Sequence, residues 1–349
     1  MARKRQAKMV LTPYQDDWHK HLSAALIAIF IDAIYKPLEQ ATRGSDRKDN
    51  AQVSALEAAL RNGSVQFTRG TFRGKINAAI SKEIKRLGGK FTKGFWRIAT
   101  PSLPVVLQQA IADNVAEMKT LENTIKKAFV GMQERALAMV KNMDVESMGL
   151  AALDKVGQDF KTQLHKTMCV MPKLEKQSLE KLRENYFETR DKPIKEHLLI
   201  EYEKNMAPAC RDFAFETVAK LRKELEGQIL GGYSRLDIRD YISKNLDISK
   251  TRAKFIARQE TALLTVEFKK QQCKEIGVEK YEWMTMQDHI VRGYGATAKD
   301  RGKANHKILQ GEIFSWDNPP SASHFSTGKC CHPGEDYNCR CQTMPIVEW

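Results

Sequence analysis

The sequence predicts a mainly α-helical chain with a small C-terminal α+β domain, hung on an elongated helical N-terminal region. Three observations carry this. Apolar residues recur at helical spacing over most of the stretch from Leu22 to Ile276. After Gly277 the period changes to two: Tyr281, Trp283 and Thr285 alternate with Glu282, Met284 and Met286, the pattern of a half-buried strand. Four of the seven cysteines then fall between Cys330 and Cys341, in a segment of Gly, Pro and Asn rather than of helix formers.

Composition narrows the class. Apolar content of 42% and charged content of 29% are those of a folded chain. A net charge of +14 asks for an anionic partner such as nucleic acid, an acidic protein or a membrane surface. The cysteine count is odd, and Cys169, Cys210 and Cys273 stand singly in helical context, which argues for a reducing compartment rather than a disulfide framework. The apolar stretch Leu22 to Tyr35 is interrupted by Asp32 and reads as too short to span a bilayer, and no signal-peptide pattern precedes it.

Residues 1–10 read as a basic disordered arm. A mainly helical region, 11–232, follows. It opens with an apolar helix over Leu22 to Leu38, a polar loop from Ala41 to Asn50, and a short helix that ends at Asn62-Gly63. The segment 61–100 is a basic patch, with ten Lys or Arg against one acid, Glu83. It is expected to hold a hairpin turning at Gly70 and a helix over Ile76 to Leu87. Phe67, Phe72, Phe91, Phe95 and Trp96 are interleaved with the cations. Phosphate contact with base stacking needs that mixture, and Arg69, Arg73, Lys75, Lys82, Lys85, Arg86, Lys90 and Lys93 are the candidate nucleic-acid contacts. A solvated helix face over ordinary core aromatics is the alternative reading.

Helices are then expected over Leu103 to Met118, Thr120 to Met143 and Asp154 to Met168. A polar stretch from Glu175 to Tyr202 follows, with Pro193 at a helix start, and a further helix over Pro208 to Leu230. The lone His165 and His197 read as structural. A connector, 233–277, is expected as two helices. The first starts at Ser234, and the second is capped by Ser249 and stopped by Gly277. The terminal α+β domain, 278–349, adds strands at Glu312 to Trp316 and Thr343 to Val347. From Tyr281 onward it holds seven basic against eight acidic residues, so the positive charge belongs to the N-terminal side.

The order of features from Ala257 to Pro345 resembles the phage Mu F-like head morphogenesis family, the minor head proteins of tailed bacteriophages. The residues that carry it are Ala257-Arg258-Gln259-Glu260-Thr261, Gly277, Tyr281 to Thr285 with Trp283, Asp288, Arg292, His306, Leu309, Gly311, Phe314, Trp316 to Pro320, and Pro333-Gly334 through Cys339-Arg340-Cys341 to Pro345. They cover about a third of the chain. The resemblance implies a minor capsid protein, not an enzyme. It would act in prohead assembly and DNA packaging, in the capsid interior or at the portal vertex, after synthesis in the host cytoplasm. The implied partners are the portal protein, the major capsid or scaffold protein and phage DNA, with no membrane and no small-molecule substrate. Two departures stand out. Many relatives carry a Cys-x-x-Cys pair after the Asp, where this chain has Asp288-His289-Ile290-Val291-Arg292, and there is an insertion between Arg292 and His306.

The cysteine block admits three readings. A structural zinc would take Cys339 and Cys341, which lie two apart and face one side of an extended segment, with His332 and with His306, Cys330 or Cys331 completing the set. Alternatively the thiols are small buried groups, with Arg340 paired to Asp288 or Glu335, or they form a disulfide. An enzyme, such as a metal-dependent hydrolase or nuclease, would need Asp288, Arg292 and His306 to converge, with no recognised catalytic motif in support. A basic nucleic-acid-binding protein with a zinc-stabilised tail is the remaining alternative.

Overall fold

The computed structural model describes residues 5–9, 19–43, 54–230, 233, 235–287, 291–294 and 304–349. The protein is mainly α-helical, with two four-stranded antiparallel sheets. Two compact units are formed. One comprises residues 1–25, 143–209 and 252–349; the other comprises 26–142 and 210–251. The linear division at 232 and 277 is therefore not how the chain partitions in space.

The second unit begins within a continuous helix: α1 (Lys20–Ile29), a π-helical turn (Phe30–Tyr35) and α2 (Lys36–Thr42). Pro37 cannot donate a backbone hydrogen bond, and its ring needs room against the preceding turn, where the widened π turn sits. The continuous helix is 23 residues long, which corrects the expectation that this apolar stretch is too short to span a bilayer. Its apolar face is nevertheless occupied inside the protein. Leu26, Phe30, Ile34 and Leu38 are buried, Phe30 packs on Phe213 with ring centroids 4.3 Å apart, and the Tyr35 hydroxyl meets the Ser249 hydroxyl at 2.9 Å.

A small α+β subdomain follows: α3 (Ala55–Arg61), β2 (Val65–Thr68), β3 (Thr71–Gly74), α4 (Ala78–Arg86), β4 (Lys90–Thr92) and β5 (Phe95–Arg97), in the sheet order β2-β3-β5-β4. Ser54 and Asn77 cap the two helices by accepting from Glu57 N–H and Ile80 N–H. Both hairpins turn on two residues with positive φ, Arg69-Gly70 and Lys93-Gly94, as tight hairpins require. The turn at Gly70 matches the sequence expectation. The second hairpin is an addition: each of its strands is only three residues long, below what period-two alternation reveals. Val65, Phe67 and Phe72 join Leu56, Leu60, Ile80, Ile84 and Leu107 in the core.

α5 (Val105–Phe129) runs through the break expected near Lys119, and α6 (Met132–Lys141) begins after Gly131, whose φ of 66° stops the first helix. α7 (Val145–Met168) is capped by Asp144, and α8 (Lys173–Thr189) starts after Pro172. α9 (Asp191–Leu230) has Pro193 in its first turn, as expected, but carries Pro208 in its interior. α10 (Arg235–Glu275) is one helix, so Ser249 is not a cap but a buried mid-helix residue held by Tyr35. The two misplaced boundaries, Pro208 and Ser249, lie beside residues 209/210 and 251/252, where the chain passes between units.

The first unit packs α7, α8, and parts of α9 and α10, around a sheet of order β1-β8-β6-β7. Its strands are β1 (Gln6–Lys8), β6 (Lys280–Met284), β7 (Ile313–Ser315) and β8 (Gln342–Glu348). The basic arm expected to be disordered is thus ordered from Arg5 to Met9: β1 pairs with β8, Ala7 opposite Val347, and Met9 is fully buried. A single charged face hid this short strand, whose apolar contribution is one alanine and one methionine. Gly149 lets α7 approach α9, because a Cβ there would stand 2.7 Å from the Leu199 side chain.

Candidate metal centre

Strand β6 puts Tyr281 and Trp283 on one side of the sheet, both fully buried. Against them lie two loops. One carries His306 just before a 3-10 turn, anchored where the His306 and Lys307 N–H groups donate to the Arg292 carbonyl at 3.1 and 3.2 Å. The other is the Cys331 to Cys341 segment leading into β8. It is seated on α10, where Gly334 lies so close that a Cβ would meet Val266 at 2.8 Å.

These loops bring His306, Cys339 and Cys341 together, with one ligand atom of each within 4.8 Å of the others. His306 Nδ1 is 3.5 Å from Cys339 Sγ and 3.6 Å from Cys341 Sγ. The Cys341 N–H donates to Cys339 Sγ at 3.4 Å. On the far side of the ring, His306 Nε2 meets Asp336 Oδ2 at 3.1 Å. Asp336 is fully buried and also accepts from Arg292 at 2.8 Å and from the Ser326 and Thr327 N–H groups at 3.1 and 3.0 Å. Trp283 and Phe325 pack edge-on against the imidazole at centroid distances of 5.8 and 5.4 Å.

The electrostatics follow from this packing. Burial raises the Asp336 carboxyl, but its donors together outweigh burial and hold it at about 2. Burial pulls the His306 imidazole down, and the Asp336 and Cys339 partners more than offset it, pushing it up to about 9. The hydrogen bond from Cys341 lowers the Cys339 thiol, and the same bond with burial raises Cys341. The cluster therefore favours a thiolate facing a positive centre.

Of the four expected metal ligands, three converge. His332 does not: its Nδ1 is bonded to the Tyr281 hydroxyl at 2.9 Å, its ring packs on Trp316, and burial pushes it down to about 4. Asp288 lies outside the described residues. Arg292 and His306 do converge, yet on Asp336, which sequence reasoning missed. Its only signal was its place between the two cysteine pairs, beside a second acid, Glu335. The buried Asp336 carboxylate is paired with Arg292, and Arg340 is half-buried. Gly311 supplies a φ of 81° at the turn where Gly311 N–H donates to Trp283 O and Trp283 N–H to Glu312 O. On α10 the docking of the loop falls to Arg258 and Gln259. Arg258 donates to Asn338 at 2.9 Å; Gln259 donates to the Glu335 carbonyl at 3.0 Å and accepts from Asn338 N–H at 2.9 Å. Glu260 lines a cavity of about 260 Å³ with Glu201, Glu267, Glu335 and Leu263.

The basic patch has its own geometry. Paired residues in the register share a face, so Arg73, Lys90, Phe95 and Arg97 lie on the side opposite Phe67, Phe72 and Trp96. The Arg73 guanidinium sits 4.7 Å over the Phe95 ring. Arg69 and Lys93 stand at the two hairpin tips, and Lys82, Lys85 and Arg86 lie exposed on α4. Phe91 is 60% exposed. Lys75 is drawn aside to Asp240 at 2.9 Å.

Residues 219–344 match the family model described as Phage Mu protein F like protein. This segment is phage Mu F-like. It holds every residue of the metal-site cluster and of the α10 clamp. A protein of Haemophilus influenzae, described only as uncharacterized, is 26% identical over 141 residues, 38% of this chain. The match spans 28% of that relative's length. No solved structure matches the chain.

Proposed function

We propose that this chain is a minor capsid protein of a tailed phage, acting in head morphogenesis and DNA packaging near the portal. The observation that carries the reading is the Mu F-like match over residues 219–344. Its role is structural, with the portal protein and the major capsid or scaffold protein as partners, inside the capsid or at the portal vertex. DNA contact is assigned to the second unit. A hairpin face bearing Arg73, Lys90 and Arg97 around Phe95, with cations at both hairpin tips, suits phosphate neutralisation with stacking. The test is fractionation: the chain should co-purify with proheads and virions in a few copies per particle. Its absence from both would overturn the assembly reading.

A further inference from the structure

The cluster at His306 has the dimensions of a coordination sphere. A tetrahedral zinc ion with Zn–S of about 2.3 Å and Zn–N of about 2.0 Å separates a sulfur ligand from a nitrogen ligand by about 3.6 Å. Both sulfurs lie at that separation from the same nitrogen, at 3.5 and 3.6 Å. Each contact is within hydrogen-bond reach, but Nδ1 has a single in-plane site to divide between two thiols. A cation between the three atoms serves all of them. Two further features are those of a ligated site. Asp336 holds the distal ring nitrogen, fixing the imidazole so that Nδ1 faces the sulfurs. The Cys341 N–H supports the Cys339 sulfur as it would a thiolate.

We propose that His306, Cys339 and Cys341 bind one zinc ion that ties the loop before the 3-10 turn to the entry of β8. Two soft thiolates and one imidazole select zinc over magnesium or calcium, which take oxygen ligands. The fourth position falls to solvent or, with a shift of its loop, to Cys331, a buried thiol outside the 4.8 Å cluster and 3.3 Å from the Thr327 hydroxyl; the Thr327 N–H in turn donates to Asp336. The aromatic wall of Trp283 and Phe325 makes the site a structural clasp rather than an open catalytic one. This inference does not depend on the head-assembly reading, because it concerns the chain in isolation.

The test is metal analysis of the full chain, purified under reducing conditions. About one equivalent of zinc is expected. Cobalt substitution should give tetrahedral d–d bands with thiolate charge transfer. Cys339→Ser and Cys341→Ser should lower zinc affinity at least tenfold, and Asp336→Asn by about 10–100-fold. His332→Ala and Cys169→Ser should keep the metal. The charge-transfer intensity of Cys331→Ser assigns the fourth ligand: a fall of about a third makes it Cys331, and no change makes it solvent. If the ligand variants do not fold, chelation of the wild-type chain replaces them. Chelator should then lower the thermal midpoint by several degrees, and added zinc should restore it. Folded wild type holding less than half an equivalent, with a midpoint indifferent to chelator and zinc, would overturn the proposal.

Discussion

The two α+β regions of this protein use polar side chains in opposite directions. In the Mu F-like module the charges turn inward: Asp336 is fully buried and bonded to His306, Arg292 and two backbone N–H groups. In the hairpin subdomain they turn outward. Among the described residues, no carboxylate pairs with Arg69, Lys82, Lys85, Arg86, Lys90 or Lys93, and the exposed Phe95 ring shares the face of Lys90. A satisfied inward network specifies a shape, because each buried group is costly to leave unpaired. An unsatisfied outward one specifies a partner, because its charge remains to be neutralised. The contrast separates a cysteine block whose polar groups are satisfied inside from a basic patch whose cations face outward.

The largest expected effect is on the module. Trp283→Ala removes a fully buried ring from the core around His306 and should cost about 3–5 kcal/mol in urea unfolding. A loss under about 1 kcal/mol would remove the module's claim to be the rigid partner in the comparison. Next comes the interface. Reversing Arg69, Arg73, Lys85 and Arg86 to Glu should leave stability nearly unchanged. It should weaken DNA binding by about tenfold or more and flatten the slope of log affinity against log salt by about 0.9 for each phosphate no longer neutralised. Unchanged binding in a salt titration would take these cations out of the DNA interface.

The smallest effect sharpens the inward side. Burial raises the Glu260 carboxyl above its ordinary value, and no donor among the described residues offsets it. A raised carboxyl pKa favours the protonated folded state, so its contribution is present below the unfolded pKa and lost as pH rises through the folded one. Glu260→Gln should therefore raise the thermal midpoint at pH 7, with the gain fading below about pH 4. A gain that persists in acid would point to packing rather than charge.

How much of this was legible differs between particular elements. β6 and the hairpin at Gly70 were readable, because period-two alternation with a Gly turn is a local signal. β1 was not, because three residues with one buried methionine beside them carry no period. Helix ends at Pro208 and Ser249 were expected on sound local grounds and did not occur. Met206, Cys210 and Phe213 are buried around the proline, and the Tyr35 hydroxyl takes up the serine, so tertiary contacts override the break. At the site, residue type alone pointed to the three converging ligands, together with a fourth, His332, that the fold assigns to Tyr281 instead.

By itself the sequence determined the helical class, the switch to strands after Gly277, the concentration of charge in 61–100 and the Mu F-like order of residues, because each is written in neighbouring positions. Only the tertiary structure decided that Asp336 is the hub, that Arg292 serves it, and that Gln259 clamps the loop. Those choices rest on which groups lose water together. Burial of that kind is a property of residues far apart in the chain, and no local pattern encodes it.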